Sequence, residues 1–319
     1  MKLFVNGEHI EALAGETIRD VARRAGHFIP ALCYAKGAKH AAACMVCAVE
    51  NRANGQILPS CSTLPMEGMQ IETDNEAVRH VRSLSLELLL SDHRADCEAP
   101  CSLVCPSGLE IEQMLACYDA GQYQSAYNII AQAAPACDSC KAPCEKACRR
   151  GTIDQPVAIR EIIREISGMF DSVFPEHDKQ LITTDKKAFQ SRLGRFSSQE
   201  KRHLQATVDG KSRCLHCACA GRTDCKLRRY ATDEGIKRPQ YGLSSALPAM
   251  AKTHIINSLW FEPAKCIRCG LCVYNSENGF TFRDRGFGMQ VVLPEENRAN
   301  IREALANLCP TGAIYVDRM

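Results

Sequence analysis

The sequence predicts an α+β chain built from several small domains, and three observations lead there. Its 319 residues hold 20 cysteines, and all but Cys117 fall into five groups of three or four. The first 75 residues show alternating apolar positions around hairpin turns, whereas residues 76–170 carry apolar stripes at helical spacing. No simple repeat spans the chain. A chain of this length suggests two to four small domains, each held together by bound metal as much as by a large apolar core.

Taken in order, Lys2-Leu3-Phe4-Val5 and His9-Ile10-Glu11-Ala12 flank Asn6-Gly7, a pair that favours a tight hairpin turn. Thr17 is placed to cap a helix from Ile18 to about Ala25, ended by Gly26. Cysteine-bearing loops and further strands complete residues 1–75, the order that a β-grasp ferredoxin domain requires. Residues 76–170 read as a helical domain, opened by Val78, Val81, Leu84 and Leu88 and continued by Ile111, Met114, Leu115, Ile159, Ile162, Ile163 and Ile166. Residues 171–212 lack cysteine and are strongly charged, as a surface connector would be. Residues 213–252 form a compact cysteine-rich knuckle with a polar extension, and residues 253–319 a separate small ferredoxin-like unit.

Composition removes several classes of function. A net charge of +2 is too small for a nucleic-acid or anionic-membrane partner, and the pairs Arg149-Arg150 and Arg228-Arg229 read as solvated or metal-adjacent charges. A single tryptophan, Trp260, offers no platform for stacking bases. No apolar run reaches the roughly 18 residues of a membrane span. The N-terminus shows no basic stretch followed by an apolar one, so a cytoplasmic protein is expected, in which clustered thiols bind metal rather than form disulfides.

The spacings narrow the metal. Cys33-x10-Cys44-x2-Cys47-x13-Cys61 sets a tight pair between two distant thiols, a four-thiolate pattern suited to a [2Fe–2S] centre, where two thiolates must reach each iron. Cys266-x2-Cys269-x2-Cys272, closed by Cys309 before Pro310, reads as a [4Fe–4S] site because the tight triad leaves one iron corner for a distant thiolate. Cys214-x2-Cys217-x-Cys219-x5-Cys225 puts four thiols on one loop, which suits either a [4Fe–4S] cluster or a tetrahedral zinc ion. His216 lies inside that loop, but the four thiols complete the count without it. Cys117, within Leu115-Ala116-Cys117-Tyr118, reads as a packing residue.

The flanking residues carry a resemblance. Ile29-Pro30-Ala31-Leu32-Cys33-Tyr34, Cys44-Met45-Val46-Cys47, Leu58-Pro59-Ser60-Cys61 and Gly68-Met69 closely resemble the N-terminal domain of the large iron–sulfur subunit of NADH:quinone oxidoreductase. NAD-linked hydrogenases and formate dehydrogenases share that domain. Lys265-Cys266-Ile267-Arg268-Cys269-Gly270, the long gap to Cys309, and Arg285-Gly286-Phe287 are similar to a [4Fe–4S] site of the same subunit. His93-x3-Cys97 resembles the opening of that subunit's cluster with one histidine and three cysteine ligands, but Cys97-x3-Cys101-x3-Cys105 then departs from it.

Ala99-Pro100-Cys101-Ser102-Leu103-Val104-Cys105-Pro106, Cys140-Lys141-Ala142-Pro143-Cys144-Glu145-Lys146-Ala147-Cys148 and Pro156-Val157-Ala158-Ile159 together resemble a different domain. It is the helical N-terminal domain of the glutamate synthase small subunit and dihydropyrimidine dehydrogenase, which holds two [4Fe–4S] clusters with interleaved ligands. Carried over residue by residue, the resemblance implies one cluster on Cys97, Cys101 and Cys148, with His93 where that family has a further thiolate. It implies a second on Cys105, Cys140 and Cys144. That family completes the second with Glu or Gln at a position near Ile163 here, and Cys137 is the substitute.

No strand-borne Gly-x-Gly-x-x-Gly and no Walker A loop occurs, and no hydrogenase or molybdopterin motif is evident, so no catalytic site, flavin or nicotinamide pocket is expected in this chain. The function implied is that of an electron-transfer subunit in an NAD(P)H-linked, flavin-containing oxidoreductase complex, linear or bifurcating. It would carry one [2Fe–2S] and three to four [4Fe–4S] clusters between a flavin/NAD(P)H-binding subunit and further redox subunits. The alternative is a free-standing iron–sulfur redox sensor or scaffold.

Overall fold

Asn6 (φ 51°) and Gly7 (φ 84°) both take the left-handed backbone that a two-residue hairpin turn needs. β1 (Lys2–Val5) therefore folds back on β2 (Glu8–Glu11), with Leu3 opposite Ile10. In the computed structural model the described residues are 1–93, 96–170, 210–218, 225–236, 241 and 252–316. They belong to two compact units, one formed by Met1–Arg94 and Ala220–Met319, the other by Ala95–Cys219. Most of the expected connector, and Cys219 with much of the expected knuckle, lie outside the described residues.

In the first unit, α1 (Ile18–Arg24) starts at Thr17 in a complete capping box. The Thr17 hydroxyl accepts from the Asp20 amide, and the Asp20 carboxylate accepts from the Thr17 amide at 3.1 Å. β3 (Ala48–Asn51) and β4 (Gln56–Pro59) form a second hairpin, and β5 (Gln70–Glu72) joins the two pairs. The sheet order is β2-β1-β5-β3-β4, with β1 and β5 parallel and the other pairs antiparallel. Leu3, Val5, Val49 and Ile71 on its inner face pack on Ile18, Val21 and Ala22 of α1.

α2 (Glu76–Asp92) begins at Asn75, whose side chain accepts from the Val78 amide at 2.9 Å. Its buried stripe differs from the expected one: Val78, Arg82, Leu86 and Leu90 face inward, while Leu84 and Leu88 are exposed. The difference comes from Arg82, which apolar patterning passes over. Its guanidinium donates to the Ala48 carbonyl at 2.8 Å and its stem occupies a position facing the core.

In the second unit, two short helices begin with proline at the first turn: α3 (Pro100–Leu103) and, after α4 (Ile111–Asp119) and α5 (Tyr123–Ala133), α6 (Pro143–Lys146). α7 (Ile159–Phe170) buries Ile159, Ile162, Ile163 and Ile166 against Ile111, Met114 and Leu115 of α4 and Ile130 of α5. That core is the one the apolar periodicity indicates.

The first unit resumes with α8 (Lys226–Asp233), whose first amide, on Lys226, donates to the Pro310 carbonyl. β6 (Thr253–Ile256) and β7 (Leu259–Phe261) are followed by α9 (Leu271–Tyr274), a hairpin of β8 (Thr281–Arg283) and β9 (Gln290–Val292), then α10 (Ala304–Leu308) and β10 (Ile314–Val316). β10 pairs with β7, giving the order β10-β7-β6. The molecule is thus mixed α and β, with sheets in the first unit and helices in the second.

Candidate metal centres

The N-terminal sheet and its loops bring Cys33, Cys44, Cys47 and Cys61 together, each 8% exposed or less. Cys44 and Cys47 lie on a loop leading into β3, Cys61 lies two residues after β4, and Cys33 lies in the segment after α1. The loop is tight enough that Ala42 (φ 54°) and Met45 (φ 52°) adopt left-handed backbone, a conformation non-glycine residues hold only when the surroundings fix it. Thiol contacts within the set divide the four: donation from Cys44 and Cys61 lowers the pKa of Cys33, and donation from Cys61 lowers that of Cys47 to about 6. Cys44 and Cys61, as the donors, are raised. Behind the set, the Ser60 hydroxyl donates to the Cys47 carbonyl at 2.7 Å and fixes the loop to the strand end.

Cys266, Cys269, Cys272 and Cys309 line one cavity of the first unit. Gly270 between the second and third thiols has φ 78°, and a Cβ there would sit 2.6 Å from the Tyr274 ring, so only glycine turns the chain into α9 here. Backbone amides point at the sulfurs, Arg268 N at 3.3 Å from Cys266 Sγ and Ile314 N at 3.5 Å from Cys309 Sγ. Burial pushes Cys266 up to about 12 and raises Cys269 and Cys272 as well. This set adjoins the N-terminal one. The Lys39 amide donates to Asn275 Oδ1 at 3.0 Å and Asn275 Nδ2 donates back to the Lys39 carbonyl at 2.8 Å, while the Cys33 charge raises Cys269.

The second unit holds two further sets, and its two short helices explain their interleaving. α3 ends between Cys101 and Cys105, and α6 between Cys144 and Cys148, so the second thiol of each pair leaves the helix and lines a different cavity from the first. Cys105 and Cys144 line one cavity with Cys137 and Cys140. Ile163 lines it too and offers no donor. Burial raises Cys137, and Cys144 to about 12.

The other cavity departs from the expected grouping. Cys101 and Cys148 line it with Cys214 and Cys217, and neither His93 nor Cys97 does. His93 is the C-cap residue of α2 in the first unit, and its amide donates to the Leu89 carbonyl at 3.0 Å. The compact knuckle is likewise divided: Cys214 and Cys217 belong to the second unit, Cys225 is the N-cap residue of α8 in the first, and Cys219 lies outside the described residues. The physical reason is that a downstream Cys-x2-Cys pair closes the cavity where sequence proximity offered His93 and Cys97. Spacing along a chain does not report which loop returns to which site.

Thiols are the donors that iron–sulfur clusters use, and these sets would hold such clusters through them. No disulfide joins the described cysteines, and desolvation of most of these thiols disfavours bare thiolates unless a cation compensates them. Amides 3.3–3.5 Å from Cys214, Cys266, Cys148 and Cys309 supply the N–H donors that cluster sulfurs accept. Spacing alone missed Arg82 and the Lys39–Asn275 pair, because neither lies in a cysteine motif. Cys117 packs against the helical core, as its sequence context suggests.

Comparison with known proteins agrees at both ends of the chain. Residues 1–76 match the 2Fe-2S iron-sulfur cluster binding domain family, and residues 259–316 the 4Fe-4S single cluster domain family. The NADPH-Fe(3+) oxidoreductase subunit alpha of Geobacter sulfurreducens is 32% identical over 130 residues, 41% of this chain and 15% of that protein. A subunit of an NADH-quinone oxidoreductase of Rhizobium meliloti is 31% identical over 38% of this chain and 14% of its own length. The NADP-reducing hydrogenase subunit HndD of Solidesulfovibrio fructosivorans is 35% identical over 35% of this chain and 19% of its own. The chain thus spans less than a fifth of these relatives. A solved NAD+-reducing [NiFe]-hydrogenase aligns with a TM-score of 0.52 at 17% identity, covering 99% of this chain and 87% of that one, a likeness of fold. The resemblance to the iron–sulfur region of NADH:quinone oxidoreductase and NAD-linked hydrogenases holds. Among the described residues, no helix is long and apolar enough to cross a membrane.

Proposed function

We propose that this chain is an electron-transfer subunit of a cytoplasmic, NAD(P)H-linked, flavin-containing oxidoreductase complex, passing single electrons between a flavoprotein subunit and another redox partner. The observation that carries the reading is the adjacency of two cluster-type sites within one unit, tied by the reciprocal Lys39–Asn275 hydrogen bonds. The relatives supply the context, since their names place them in NADPH-, NADH- and NADP-linked oxidoreductases.

In this reading the first set holds a [2Fe–2S] cluster in a β-grasp domain, which the strand order β2-β1-β5-β3-β4 around α1 supports. The C-terminal set and the Cys105, Cys137, Cys140, Cys144 set hold [4Fe–4S] clusters. Bound clusters supply one-electron transfer. The chain's own groups do the rest: thiolates hold the irons, backbone N–H donors stabilise charge on the sulfurs, and apolar walls exclude water. Arg82, buried beside Ala48 and close enough to interact with the Cys47 charge, adds a fixed positive charge behind the first site.

The test is anaerobic reconstitution followed by mixing with NADH, with and without a co-purifying flavoprotein. Cluster reduction is expected only when the flavoprotein is present. NADH oxidation by the isolated chain would refute the reading.

A further inference from the structure

We propose that Cys101, Cys148, Cys214 and Cys217 bind a single [4Fe–4S] cluster, and that His216 is the positioning residue that seats the downstream pair; the assignment rests on reading these cavities as iron–sulfur sites. The four thiols line one small cavity together with Ala99, Leu115 and Val157. Their mutual proximity shows in their charges, since Cys214, Cys148 and Cys217 all act on Cys101. They come from three separate stretches of sequence: Cys101 in α3, Cys148 two residues after α6, and Cys214 and Cys217 in a segment that follows residues 171–209.

That late segment is stitched to α4 by a polar network built around the ligands. The Ser212 amide and hydroxyl both donate to the Asp119 carboxylate at 2.6 Å. The His216 ring lies between two carboxylates, Nδ1 3.1 Å from Glu112 Oε1 and Nε2 3.5 Å from Asp119 Oδ2. Glu112 and Asp119 are seven residues apart on α4, hence on one face, and present a two-point seat for one imidazole. Arg213 (φ 61°) and His216 (φ 47°) take left-handed backbone on either side of Cys214, a shape the contacts must hold because the residues themselves disfavour it. In that shape the His216 amide donates to Cys214 Sγ at 3.3 Å. A histidine that the thiol count leaves without a role is therefore the anchor of the loop that completes the site.

Iron stoichiometry and spectroscopy of the reconstituted full chain test this without any activity assay. Cys101→Ser alone and Cys214→Ser/Cys217→Ser together should each remove about four irons and the same paramagnetic-resonance signal. The three substitutions combined should still remove only about four, because they dismantle one site. A combined loss of about eight would overturn the assignment by showing two sites. The cluster on Cys105, Cys137, Cys140 and Cys144 shares the unit and serves as the folding control. Should the multiple variant lose that signal too, Cys217→Ser alone decides, since loss of one ligand from this site is expected to leave its neighbour's signal intact and an unchanged spectrum would refute the site. Absence of iron from every set would refute the iron–sulfur reading itself, whereas a defect confined to this set bears only on the present assignment. His216→Ala should lower occupancy of this cluster alone and His216→Gln should recover part of it; equal loss at the neighbouring site would mean a merely structural role.

Discussion

Lys265 is fully buried one residue before Cys266, its Nζ 2.6 Å from Glu262 Oε2 and 5.2 Å from the centre of the Tyr315 ring. Glu262 is 1% exposed, so the two charges leave water together and neither is comfortable alone. Lys265→Met should therefore cost on the order of 3–5 kcal/mol, because it strands a buried carboxylate, and pairing it with Glu262→Leu should recover most of that. The denaturant midpoint of each variant checks this; a single variant as stable as the native chain would mean the pair is not buried. Arg82 makes a separate case. A fixed positive charge near Cys47 favours the more negative, reduced state of a cluster there. Arg82→Met is expected to lower the midpoint potential of the [2Fe–2S] centre by an amount on the order of tens of millivolts, read by redox titration of its resonance signal.

Single elements show which parts of the fold the sequence makes legible. Asn6-Gly7 and Thr17 specify the first hairpin and α1 through local chemistry, and both are found where expected. Thr17→Ala should cost about 1 kcal/mol by removing the cap, measured as a shift in denaturant midpoint without loss of the [2Fe–2S] signal. α2 is less legible, because its inward face includes Arg82 and its exposed face includes Leu84 and Leu88, so apolar periodicity places Val78 correctly and loses the buried stripe after it. The interleaved thiols at α3 and α6 could be carried over from a resemblance, since each pair belongs to one continuous sequence motif. The closure of their second cavity by Cys214 and Cys217 could not. It depends on Asp119 and Glu112 of α4 binding Ser212 and His216, which lie more than 90 residues further along the chain.

At the scale of the molecule, the four sets account for about 14 irons, and iron analysis of the anaerobically reconstituted chain should give no fewer. A lower count would mean that at least one of the four sets holds no cluster. Within the first unit the arrangement of two sites matters more than their number. The loop that carries Cys33 and Cys44 reaches Asn275, three residues beyond Cys272, and the two backbone–amide hydrogen bonds there hold both sites in one register. Asn275 also donates to the Leu271 carbonyl at 2.8 Å, so one side chain ties α9, a ligand-bearing helix, to the neighbouring ligand loop. Asn275→Ala removes the loop contacts and leaves every thiol in place. Both clusters should still assemble, with unchanged iron content. When both are reduced, the magnetic coupling that broadens their resonance lines should weaken, and electron exchange between them should slow. Unaltered line shapes and exchange in a fully loaded Asn275→Ala chain would show that the sites keep their relation without this tie, which would then belong to the sheet and the cysteine loops themselves.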